Sequence, residues 1–149
     1  MKNNIPIFEW DEEQGLATCI LTNGEDVYYG FAYCHPEDED MKGEKTGCEI
    51  ALKRAEIEAL KGYRDKLKIR LETLNHLHSI MKRSKHFNPK SYENKMLHRQ
   101  IRMINFDLAT VKEMIATEKQ SLKTYIDEKD NFYVKTRKRR TERSKVNNI

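Results

Sequence analysis

Two stretches of this chain have residue types and spacings suited to holding a small anionic ligand. The first is the aromatic run Val27–Cys34, "VYYGFAYC", which closes on His35-Pro36. Alternate side chains of an extended strand share a face, so Tyr29, Phe31 and Tyr33 form one surface and Tyr28, Ala32 and Cys34 the other. The smaller set suits close packing beneath a helix. That packing leaves the three rings, with His35 at the strand's end, for a ligand or a neighbouring subunit. The reverse arrangement, with the rings as core, is equally compatible with the alternation. The second stretch is "FNPKSYENKMLHRQIRMINF", residues 87–106. It mixes rings (Phe87, Tyr92, Phe106), amides (Asn88, Asn94, Asn105) and cations (Lys95, Arg99, Arg102). Rings and guanidinium planes stack on purines, cations meet phosphates, and amides bond base edges. Arg99, Arg102 and Phe106 recur at i, i+3 and i+7 and share a helical face. A solvated structural face has the same composition, so both readings stand.

Reactive chemistry has no comparable signal. There is no Walker loop, GxSxG or HExxH motif, and no general base stands out. His76 and His78, two residues apart on a helix, face different ways and do not chelate one metal together. "PEDEDMKGE" lacks the ligand spacing of a calcium loop and reads as a solvated acidic bend. Cys19, Cys34 and Cys48 have no CxxC spacing and read as reduced, buried small residues. Binding without catalysis, and without a metal or cofactor, is the expectation.

The elements that must position these residues are legible. Ile5–Trp10, Leu16–Leu21 and Val27–Cys34 alternate as strands, with Pro6 tolerable only on an edge. Asn23-Gly24 between the second and third predicts a tight hairpin whose two turn positions have positive φ. Thr46 with Glu49 matches a capping box at the start of a long helix. Ile57, Leu60, Leu67, Leu71, Leu74 and Met81 repeat along it at spacings of three and four, interrupted only by Arg64 and His78. Asn88-Pro89 breaks the helix and Ser91 can cap a second one. There Leu97, Ile101, Ile104, Leu108, Val111, Ile115, Leu122 and Tyr125 form a matching seam that only Glu118 interrupts. Arg64 falls level with Glu113–Glu118 and is expected to answer that break as an ion pair. The expectation is an α+β fold: a small N-terminal antiparallel β-meander packed on a long antiparallel two-helix coiled-coil hairpin. One domain spans 1–134, with the meander at 5–34 and helices at 46–84 and 91–130. Arms of roughly 45–60 Å carry more apolar surface than one seam buries, which predicts a homo-oligomer.

Charge is unevenly distributed beneath a net +4. Residues 1–48 hold eleven acids and three bases, residues 49–134 eighteen bases and twelve acids, and residues 135–149 seven bases and one acid. The last segment, "KTRKRRTERSKVNNI", reads as a basic disordered tail that can touch nucleic acid through phosphates. No apolar run approaches a membrane span, and "MKNNIPIFEW" lacks a signal-peptide core, so a soluble cytoplasmic protein without membrane partners is expected.

The run "GFAYCHPEDED" followed by "TGCEIALKRAEI" resembles the first-described Thoeris anti-defence proteins of phages, best over residues 5–60 and more loosely over the helical hairpin. Members of that family bind, without cleaving it, the cyclic ADP-ribose isomer made by bacterial TIR-domain immune enzymes. They form homo-oligomers, and some hold cyclic oligonucleotides at a second site. The resemblance implies capture of such a signal in the cytoplasm of an infected bacterium, and it matches Arg54 to the arginine of the family's helix start. It also fits a pocket walled by one subunit's sheet and another's helices. The alternative is a phage nucleic-acid- or protein-binding adaptor, self-assembled through its helices and hooked by its basic tail.

Overall fold

The computed structural model describes residues 5–33 and 43–147, with side chains described as far as residue 129. Cys34, His35 and the acidic bend lie outside the described residues. Three strands, β1 (Pro6–Asp11), β2 (Leu16–Asn23) and β3 (Asp26–Tyr33), precede two helices, α1 (Gly43–Lys82) and α2 (Tyr92–Asn147). The fold is α+β, an antiparallel sheet in the order β1-β2-β3 followed by two long helices. Pro6 occupies an edge strand, where its missing N–H leaves no gap in the ladder. The chain falls into two compact units: Met1–Glu58 with Thr117–Ile149, here the sheet unit, and Ala59–Ala116, the hairpin unit.

In the sheet unit, Asp11 shapes the first turn, its carboxylate accepting from the Glu13 and Gln14 amides. Gly15 follows at φ 63°. The second turn lies one residue later than its Asn-Gly signal suggested. Asn23 pairs with Asp26, so Gly24 and Glu25 form the loop, with Gly24 at φ 65°. The core is built from small residues: Ala17, Cys19, Leu21 and Ala32 of the sheet against Ala51 and Ala55 of α1. Gly30 permits the close approach. A Cβ there would lie 1.9 Å from the Ala51 carbonyl oxygen and 2.5 Å from the Ala55 nitrogen. With the small face of β3 taken by the helix, Tyr29, Phe31 and Tyr33 turn to solvent, 51%, 49% and 75% exposed. That decides between the two arrangements left open by the alternation.

In α1 the helix is already running at Gly43, which makes Thr46 an interior residue and removes the expected capping box. Glu49 instead accepts a hydrogen bond from the Tyr125 hydroxyl. Helix α2 runs on to Asn147, through the segment expected to be irregular. Neither Gly nor Pro occurs after Pro89, and Lys, Arg and Glu are good helix formers.

In the hairpin unit, Leu67 of α1 and Ile104, Leu108, Val111 and Ile115 of α2 form a buried cluster, flanked by Leu60, Leu71 and Leu74. The connection is closely bonded. Ser91 caps α2 by accepting from the Asn94 amide at 3.2 Å, and Asn88 accepts from the Lys90 amide at 3.0 Å. Arg64 pairs with its neighbour Asp65 at 3.2 Å instead of reaching toward Glu113–Glu118. A carboxylate one residue away competes without needing the arms in register. Off the seam, Ile69, Leu77 and Ile80 on α1 and Met103, Phe106 and Met114 on α2 remain exposed.

Two glycines test this account. Gly30→Ala meets helix backbone and is expected to cost about 3 kcal/mol or more. Gly24→Ala has open space around it and only a positive φ to overcome, about 1–2 kcal/mol. Urea unfolding of both variants measures the difference. Equal losses would show that α1 does not press on the sheet.

Candidate functional site

In the sheet unit the open face of β3 is an aromatic platform. The Tyr29 and Phe31 rings lie nearly parallel, planes at 8° and centroids 6.3 Å apart. Strand register sets Leu16 beside Tyr33, Thr18 beside Phe31, and Ile20 beside Tyr29, with Ile7 of β1 next to Ile20. The floor beside the rings is mixed: Leu16, Ile20 and Ile7 are apolar, Thr18 is polar, and Glu9 and Asp11 of β1 stand across from Thr18 and Leu16. Arg54, from the part of α1 above the sheet's small face, donates Nη1–H to the Phe31 carbonyl at 2.6 Å. This bond ties a cation from α1 to the backbone of β3 at Phe31. A guanidinium has several donors, and this bond uses one. Tyr29, Phe31 and Arg54 are thus brought together. Tyr33 joins them, and His35 lies outside the described residues.

In the hairpin unit Arg99, Arg102 and Phe106 do share one face of α2, as their spacing predicts. With Met103 and Asp107 they line a shallow depression of about 300 Å³. Its composition suits a ligand with a flat apolar part and a negative charge. Met103 and Asp107 were missed by sequence reasoning, although they sit at i+4 and i+8 from Arg99, the same helical row. Tyr92 is exposed at the start of α2. Asn94 has a different task from the ligand contact expected of it. It is buried, 3% exposed, and its Nδ2 donates to the Pro89 carbonyl at 2.8 Å. Standing three residues after the cap, its side chain turns back into the loop.

Among the described residues of the sheet unit, two thiols and one carboxyl depart from their ordinary values. Burial pushes the Cys19 and Cys48 thiols up, the direction opposite to activation. Burial also raises the Glu56 carboxyl above its ordinary 4.5, the Glu118 carboxylate raises it further, and Lys53 pulls it partly back. The polar break at Glu118 is thus met by a like charge.

No protein-family model, curated protein or solved structure matches the chain, so the resemblance to the Thoeris anti-defence family rests on its quoted motifs alone.

The Glu56–Glu118 pair makes stability depend on pH in a stated direction. A carboxyl raised in the fold contributes stability that is fully present below its unfolded value of 4.5 and is lost as pH rises through the folded value. At neutral pH the pair is therefore unfavourable. Glu118→Gln should raise Tm at pH 7 by about 1–2 °C, the scale of a partly exposed pair, and the gain should vanish toward pH 4. Thermal melts across this range check it, and an equal gain at both ends would contradict the assignment.

Proposed function

We propose that this protein captures a cyclic ADP-ribose isomer and holds it without reaction, keeping an immune signal from its receptor in an infected bacterium. The observation that carries this reading is the solvent-facing pair of near-parallel rings, Tyr29 and Phe31, with the Arg54 guanidinium fixed at its edge. An adenine stacks on such rings, and a guanidinium bridges phosphate oxygens bidentately. The cation-and-ring row of Arg99, Arg102 and Phe106 offers the same chemistry a second time. Support also comes from the motif resemblance over residues 5–60. Sequestration requires neither a general base nor an activated nucleophile, and the raised thiols fit that requirement.

Both surfaces are open, whereas tight capture of a small molecule requires enclosure on most sides. A homo-oligomer in which copies of the chain close over these surfaces supplies it, with the two helices zipped as a coiled coil. The exposed apolar residues of the hairpin unit favour such association. The second reading, an adaptor for nucleic acid or protein, draws on the seven bases among residues 135–149. Among the described residues no helix is long and apolar enough to cross a membrane.

Thermal shift with a cyclic ADP-ribose isomer tests the proposal: Tm should rise with the nucleotide and stay constant with duplex DNA. Heating the complex should return the nucleotide chemically intact, and a cleaved product would mean an enzyme. Arg54→Ala and Arg102→Ala should each weaken binding roughly tenfold to hundredfold while the protein stays folded, the scale of one charge-assisted contact. Wild-type affinity in both would remove these surfaces from the site. Deleting residues 135–149 should leave nucleotide binding unchanged, whereas an adaptor would lose its nucleic acid.

A further inference from the structure

The hairpin unit joins two histidines that no sequence motif connects. His78 interrupts the apolar seam of α1, and its ring meets that of His98 from α2 edge-on, centroids 4.6 Å apart and planes at 73°. Imidazole nitrogens bind borderline divalent ions at about 2.0–2.1 Å. Two rings this close can direct a nitrogen each at one ion with small side-chain rotations.

Two orphaned atoms sharpen the picture. His78 Nε2 is shut off from solvent without a hydrogen-bond partner, and so is Asn94 Oδ1. Asn94 lies four residues before His98, on the same face of α2. Buried polar atoms rarely stay unpaired. The two unmet atoms, a ring nitrogen and an amide oxygen, are both metal-ligand types.

We propose that His78 and His98, together with the Asn94 amide oxygen, bind one borderline divalent metal ion such as Zn²⁺ or Ni²⁺ and so clasp α1 to α2 beside the loop. Imidazole suits these ions, whereas Mg²⁺ and Ca²⁺ require more oxygen ligands than this site offers. Among the described residues no group of three His, Cys, Asp or Glu could hold a metal, so the site is a pair of imidazoles completed by an amide, with water for the remainder. Lys82, one turn beyond His78, places a positive charge nearby that keeps the affinity modest. The clasp is independent of nucleotide capture: it fixes the ends of two arms, and the proposed ligand surfaces do not contain either histidine.

The test uses the full chain, first stripped with EDTA. Zn²⁺ or Ni²⁺ should raise Tm, bind once per chain by calorimetry, and be reversed by EDTA, while Mg²⁺ and Ca²⁺ should do nothing. His98→Ala changes an exposed residue and leaves the apolar seam intact, so it should fold and lose at least about tenfold in metal affinity. His78→Ala should lose as much, and His76→Ala, on another face of α1, should keep wild-type binding. No response to either ion overturns the proposal, and so does a response that survives His98→Ala or disappears in His76→Ala.

Discussion

The close approach of α1 to β3 at Gly30 is the constraint from which the rest of the sheet unit follows. Helix backbone stands where the first carbon of any side chain would be, and the surrounding core is nearly all Ala, Cys and Gly. A core of small residues buries little area per residue, so each depends on backbone contact at short range. Beside Gly30 that face has no room for a large side chain, and Tyr28, the one large β3 residue on it, packs against the core only partly buried. Because side chains alternate along a strand, filling one face with small residues forces Tyr29, Phe31 and Tyr33 onto the other. The aromatic platform is therefore a consequence of how the helix is seated, and its composition is not interchangeable with that of the core.

The hairpin unit meets the opposite problem. Its seam is rich in large aliphatic residues, yet two helices present only one stripe to each other, and each also carries apolar residues away from it. Ile69 and Ile80 on α1, and Met103 and Met114 on α2, are each spaced eleven residues apart, which returns to the same helical face after three turns. Such repetition is not the scatter of single hydrophobics found on most surfaces. Within the seam, the polar breaks find local answers. Arg64 uses its own neighbour and His78 uses His98.

Much of this architecture was legible in the amino-acid order. Alternation placed all three strands to within two residues, and the Asn88-Pro89 break with Ser91 after it located the loop and the cap of α2. Local signals misled where a stronger pattern ran through them. Asn23-Gly24 has the composition of a primed turn, but ladder pairing of Asn23 with Asp26 moves the loop one residue along. Thr46 and Glu49 have the spacing of a capping box, but a helix already formed at Gly43 has no amide for Thr46 to satisfy as a cap. The extension of α2 was signalled by an absence, the lack of Gly and Pro after Pro89, which charge composition outweighed. Pairwise facts that depend on register, such as His78 against His98, have no sequence signature. They arise from two seams being set against each other, and a shift of one turn would separate them. The candidate site divides the same way. The shared faces of Tyr29 with Phe31, and of Arg99 with Arg102 and Phe106, follow from period. The inward turn of Asn94 follows from its bond to the Pro89 carbonyl.

Arg54 is anchored within the sheet unit. Its side chain is tied at one end to α1 and at the other to the Phe31 carbonyl, so the guanidinium does not sample the rotamers of a free surface arginine. Immobilising a long side chain on binding typically costs about 0.5–1.5 kcal/mol, and here that ordering is already part of the fold. Two ring faces lie nearly parallel through strand period, and a cation is held at the Phe31 carbonyl of the same strand. Rings and cation are thus preset by the same strand, the first through the alternation of its side chains and the second through its backbone.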